Sequence, residues 1–188
     1  MSDTKSKRFK IPKTYKTILA LLVVVGPITW LSFTDEGQRR SDLMILAFKG
    51  DPFVEMRLDT LASAATEENV REFLPEVEWQ CKDKPNPFGQ RSCISPIGAF
   101  NDTPAFYMVL YFEQEALQAM KVAYRGGYHD YLMTQTGSML GTPEPGPGGV
   151  LQWPTEGGLV LMPKQIDDNK EASLMWLSAE RALALGKS

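Results

Sequence analysis

A single histidine and two cysteines in 188 residues leave metal and nucleophilic chemistry little to work with. Soft-metal sites draw on several Cys and His at short spacing. Here Cys81 and Cys93 stand alone and His129 lies far along the chain, so neither a metal nor a cofactor is expected. Their C-x11-C spacing is not the C-x-x-C of a redox site. No glycine-flanked nucleophilic serine is present, and Gly146–Gly149 lacks the Lys-Ser/Thr that completes a phosphate loop. No catalytic motif stands out.

Positive charge is scarce outside the N-terminus. Lys5, Lys7, Arg8, Lys10, Lys13 and Lys16 face one acid, Asp3, in the first sixteen residues. Removing these six and one from 20 basic and 23 acidic groups leaves 14 and 22, a net charge of −8 for the rest. So acidic a domain is a poor nucleic-acid binder, because phosphate recognition needs clustered Lys and Arg to displace counterions.

What the chain does have is Thr17–Phe33, TILALLVVVGPITWLSF, without a charge. Seventeen residues at helical rise span roughly 26 Å, near the lower limit for a hydrocarbon core of ~30 Å. Lys13 and Lys16 suit one interface and Trp30 and Phe33 the other. The basic residues predict a cytoplasmic N-terminus and an exported remainder. A cleaved signal peptide shares this layout, but TWLSFTDE offers no A-x-A-like cleavage site, and no cysteine follows for a lipid anchor. The expected division is a basic cytoplasmic tail over 1–16, a membrane anchor over 17–33, a juxtamembrane linker over 34–49 and one exported domain over 50–188. In an oxidising compartment Cys81 and Cys93 read as one disulfide, contributing about 3 kcal/mol by loop closure.

Within the domain, Thr34–Arg40 reads as a polar hinge, and apolar Leu43–Phe48 extends the anchor helix or starts a strand. Val54–Asp59 alternates apolar and charged residues, as a half-buried strand does. Thr66 caps a short helix that carries Val70, Phe73 and Leu74 and ends at Pro75. Lys82–Arg91 is too rich in Pro, Gly and charge to be regular. Ala105–Phe112 (AFYMVLYF) predicts a central strand, paired through Glu113–Glu115 with Leu117–Tyr124. A helix follows over Tyr128–Leu140, stopped by Gly141 and Pro143. Val150–Trp153 and Gly158–Met162 form a second hairpin, and after a turn at Asp167–Lys170 come a strand over Ala172–Leu177 and a helix over Ser178–Leu185. The fold class is α+β: a single transmembrane helix, then an antiparallel sheet packed with two helices. Each half runs helix, proline, tryptophan (Trp79; Trp153), strands. This order fits either a degenerate duplicated helix-plus-hairpin unit or coincidence.

Thr66-Glu67-Glu68-Asn69-Val70-Arg71-x-x-Leu74, with Tyr111-Phe112-Glu113…Leu117, resembles the "T-x-x-x-V-x-x-L" helix and "F-D-x-x-x-L" turn of small BamE (SmpA/OmlA) type envelope domains. The lipobox cysteine of that family, its glycine ahead of the threonine and its Gly-x-Pro after the leucine have no counterpart here. The resemblance implies a helix-plus-antiparallel-sheet fold in a bacterial periplasm.

For a binding surface, the aromatic residues Phe106, Tyr107, Tyr111, Tyr124, Tyr128 and Tyr131, with Phe112, are the candidates, as a groove for an envelope protein or lipid; the same residues also fit a plain core. His129 and Asp130 invite a base-catalysis reading, but helix neighbours i and i+1 do not face each other. The leading expectation is a non-catalytic binding or scaffolding domain, single-pass in the inner membrane. The alternatives are a hydrolase or transferase using scattered carboxylates, and a binder of lipid or another small apolar ligand.

Overall fold

The computed structural model describes residues 12–62, 64–166 and 170–185. Most of the basic tail, and the turn before Lys170, lie outside them. Two compact units divide at Ser41/Asp42.

The first unit is dominated by α1 (Lys13–Phe33), 21 residues without one buried side chain. At helical rise that is about 31 Å, the thickness of a bilayer core. This one helix, among the described residues, is long and apolar enough to cross a membrane. It starts earlier than the apolar run because Lys13 and Lys16 are helix formers and Pro12 precedes them. The expected hinge at Thr34–Arg40 is instead helical. Thr34 alone is extended, and its hydroxyl accepts the Gly37 N–H at 3.0 Å, capping α2 (Asp35–Lys49). Asp35 and Glu36 then meet the positive end of the new helix dipole.

The second unit, from Asp42, is built on one sheet. In chain order come β1 (Phe53–Val54), α3 (Glu67–Phe73), β2 (Gln80–Asn86), β3 (Gly89–Pro96), β4 (Ala99–Phe100), β5 (Thr103–Glu113), β6 (Ala116–Arg125), α4 (His129–Leu140), β7 (Glu144–Pro145), β8 (Val150–Thr155), β9 (Gly158–Pro163), β10 (Glu171–Ser178) and α5 (Ala179–Leu185). Across the sheet the long strands read β2-β3-β5-β6-β10-β9-β8-β7. All are antiparallel; the short β1–β4 pair beside β5 is the one parallel contact among them.

The order is palindromic. A helix and four paired strands (α3, β2-β3-β5-β6) meet a second helix and four strands (α4, β7 to β10) along the β6–β10 seam. The strand order matches a duplicated plan, but the tryptophans do not. Trp153 is buried and donates to the Gly141 carbonyl at 2.9 Å, whereas the Trp79 indole N–H has no partner.

Alternation along β5, β6 and β10 sends Met108, Leu110, Phe112, Met120, Val122, Tyr124, Leu174 and Trp176 to one face, all buried to 2 % exposure or less. The helix over Glu67–Phe73 forms as expected, with a capping box between Thr66 and Asn69. Two expectations fail. Val54–Asp59 is not a strand beyond Val54, because the Asn101 side chain takes both backbone groups of Met56, N–H at 2.8 Å and C=O at 2.9 Å, where a neighbouring strand would otherwise bond. Lys82–Arg91 is not irregular: it lies within the β2–β3 hairpin, with Cys81 directly opposite Cys93 and bonded to it. Its Pro and charge are those of an exposed edge strand.

The β5–β6 turn holds Gln114 at φ 49° and Glu115 at φ 70°, left-handed conformations that favour Gly or Asn. Non-glycine residues there cost about 1 kcal/mol or more each. Glu115→Gly is therefore expected to stabilise the protein by about 1 kcal/mol, a rise in thermal midpoint of ~2–4 °C. An unchanged or lower midpoint by calorimetry would show that the turn carries no such strain.

Candidate functional site

Between α3 and α4, over the core face of the sheet, lies an open trough of about 900 Å³. Leu110 of β5 and Leu117 of β6 come from the sheet, Val70 and Phe73 from α3, Met139 and Gln135 from α4. The segment Glu55–Ala65 contributes most of the rest, with Asn69, Asn101 and Asp102, and small Ala62, Ala64 and Ala65 leave the space open.

The described residues of this segment, 55–62 and 64–65, form no helix or strand, yet they are pinned at several points. Asn101 holds Met56, the Leu58 N–H points at Met139 Sδ at 3.3 Å, and the Ala65 carbonyl accepts the Leu117 N–H at 2.9 Å. At Gly157 a β-carbon would collide with the Leu61 carbonyl, so the β8–β9 turn presses directly on it. The trough's polar residues are largely engaged: Arg57 pairs with Asp59, Gln135 donates to Tyr131, and Asn69 closes the Thr66 cap. What remains open is apolar and includes Met56 and Met139, flexible side chains that adapt to varied partners. Phe73 stands at its edge, 65 % exposed.

Beside the trough, Thr66, Glu67 and Glu115 border a second, ionic hollow. Glu67 accepts from Arg91 at 2.7 Å and Arg71 at 2.9 Å, and Arg91 reaches Asp83 at 2.6 Å. The Arg91 guanidinium, and after it Arg71, hold the Glu67 carboxyl below the usual carboxylate range against the opposing cost of burial. Glu67 and the two cysteines are the one grouping with metal-ligand geometry among the described residues. With their sulfurs bonded to each other, Cys81 and Cys93 offer no thiolate.

The aromatic set is dispersed. Tyr107 and Tyr111 lie half-exposed on the sheet face away from the core. There Tyr107 donates to Glu171 at 2.7 Å and accepts from Lys121 at 3.2 Å, while Tyr111 packs against Phe88 at a tilt of 49°, ring centroids 5.1 Å apart. Phe106 sits at a bulge in the β5–β6 pairing, under Arg125. Tyr128 donates to Asp42 at 2.9 Å, and Tyr131 is half-buried on α4. Tyr124 is fully buried, and burial pushes its phenol pKa up. It belongs to the core, because its parity on β6 is that of Met120 and Val122, so no groove joins it to the others.

His129 is buried at 5 % exposure, its Nδ1 on the Tyr124 hydroxyl at 2.7 Å, while Nε2 has no partner. The hollow beside it takes in Lys164 and a single carboxylate among the described residues, Asp130. The trough itself escaped the sequence reading, since its alanines and apolar residues converge from five separate segments.

The two motifs of the envelope-domain resemblance are neighbours in space: Thr66 bridges to Ala116 and Ala65 bonds Leu117. Against family models, curated proteins and solved structures alike, the chain finds no match.

Asn101→Asp keeps the acceptor for the Met56 N–H but loses the donor to its carbonyl. A cost of about 1–3 kcal/mol is expected, read from urea unfolding, with faster proteolysis within residues 55–62. Cleavage and stability both unchanged would remove Asn101 as the clamp. Glu67, with its folded pKa depressed, stabilises the fold fully above the unfolded value of about 4.3. That contribution is lost as pH falls through the lower folded value. Glu67→Gln should thus flatten the acid limb of the stability profile below pH ~4.3; an acid limb as steep as the native one would exclude this network as its source.

Proposed function

We propose that the protein is a single-pass inner-membrane protein of a bacterial envelope, with a cytoplasmic N-terminus and a periplasmic domain that binds another envelope component. The observation carrying this reading is the apolar trough between α3 and α4, on a domain that follows a membrane-length helix. A volume of about 900 Å³ accommodates a few apolar side chains of a partner. The basic residues ahead of α1 support the orientation, and the Cys81–Cys93 pair suits an oxidising compartment. The short motifs shared with BamE-type domains support the envelope setting. Binding by strand addition is disfavoured. The edge strand β2 carries Lys82, Asp83, Lys84 and Pro85, and β7 has two residues, the second Pro145.

Two measurements test this. A reporter active only outside the cytoplasm, fused after Ser188, should be active on a full-length chain; an inactive or shortened chain would overturn the tethered layout. A photocrosslinking residue at Phe73 in living cells should give one discrete adduct with another envelope protein, lost when Ala62→Trp fills the trough. Adducts indifferent to that substitution would overturn the binding role.

A further inference from the structure

Leu43–Phe48, LMILAF, puts six apolar residues in a row on α2. At 100° per residue they run round the whole helix, so one side of the helix cannot bury them all. Asp42 marks the side turned to the domain, since it accepts from Arg125 at 2.5 Å and Tyr128 at 2.9 Å, and Leu46 one turn on is buried to 6 %. Met44, Ile45 and Phe48 are left 56, 51 and 85 % exposed, where a solvated helix would carry charge.

Two more exposed aromatics are linked to this helix through intervening residues. Phe106 lies 6.0 Å under the same Arg125 that holds Asp42. Its carbonyl accepts the Ile97 N–H, and next to Ile97 is Gly98, where a β-carbon would lie 3.0 Å from the Phe53 ring. Five of the nine exposed large apolar residues recorded from Asp42 onward thus lie on α2 or are linked to it through Asp42, Arg125 and Gly98. So dense a patch calls for a cover.

We propose that this patch rests in the interface of the bilayer that α1 crosses, so that the domain lies against the membrane. The inference depends on reading α1 as a span. Reach selects the bilayer over other covers. Only Thr34 separates the two helices, and eleven residues from Phe33 to Met44, or fifteen to Phe48, measure about 16 and 22 Å at helical rise. A bilayer held that close has an effective concentration that a diffusing partner does not match. The chemistry agrees: Phe, Met and Ile insert at the acyl boundary, and Lys49 next to Phe48 suits lipid phosphates.

The test uses the full chain in nanodiscs of phosphatidylethanolamine and phosphatidylglycerol, with benzoylphenylalanine placed singly at Phe33, Phe48, Phe106 and Phe73. After irradiation, intact-mass spectra should show lipid adducts at the first three, at least tenfold above Phe73, which is more exposed than Phe106 but lies on α3. Without adduct at Phe33 the span fails, and this inference with it. Adduct at Phe33 but none at Phe48 above the Phe73 level overturns the patch and leaves the span standing. A two-chain mass from Phe48 overturns it in favour of a second copy. Met44→Glu with Phe48→Glu should lower the Phe106 adduct at least tenfold, with the disulfide and thermal midpoint retained; an unchanged adduct overturns the single surface.

Discussion

The antiparallel seam between β6 and β10 is the pairing on which the rest of the domain depends. Residues Ala119–Arg125 run against Glu171–Leu177 in unbroken register. Every core-facing side chain along it, from Met120, Val122 and Tyr124 to Ala172, Leu174 and Trp176, is buried. A one-residue slip would turn all of them to the opposite face, so the hydrophobic pattern fixes the register. Joined there, two four-stranded halves become a single sheet with one continuous core. The trough is a consequence, because it draws Leu110 and Leu117 from the first half and Met139 from the helix of the second.

Strands whose own side chains decide their fate were legible in the sequence. AFYMVLYF could only be a central strand, and β6, β8, β9 and β10 followed from alternation and turn residues. Segments decided by a distant partner were not. Val-Glu-Met-Arg-Leu-Asp has the right period for a strand, but the amide of Asn101, 45 residues from Met56, takes its backbone bonds instead. The β2–β3 hairpin was hidden for another reason: an edge strand is protected by the very Pro and charge that mark a loop. Thr34 with Asp35 and Glu36 did carry a readable helix start, masked by the polarity of the residues that follow.

Composition ignores parity, so it does not sort the aromatic concentration between the two faces of the sheet. In β6, Tyr124 shares its face with Met120 and Val122, while Tyr107 and Tyr111 on β5 point the other way, beside Lys121. Burial alone would depress the Lys121 ammonium, but the Tyr107 hydroxyl and Glu171 beside it carry its pKa up, so the cation persists among aromatic neighbours. That face is thus a mixed, hydrogen-bonded surface. The trough, whose polar residues are mostly committed to the protein itself, is the more apolar of the two.

A tether changes what such surfaces must achieve. The chain after residue 16 carries a net charge of −8, so an anionic bilayer repels the domain as a whole. Under the proposed membrane contact, attraction would have to come from local apolar insertion, for which Met44, Ile45 and Phe48 of α2, next in sequence to α1, stand exposed. A free domain would need strong insertion to repay the freedom lost on binding. With α1 read as a span, a domain that follows it after one extended residue would give up most of that freedom beforehand, and a few phenylalanine, methionine and isoleucine side chains would suffice. The same logic holds for the trough, where confinement to one membrane raises the local concentration of any partner held there too. A shallow, adaptable, mostly apolar surface, weak for a protein in solution, is then adequate for recognition along a membrane.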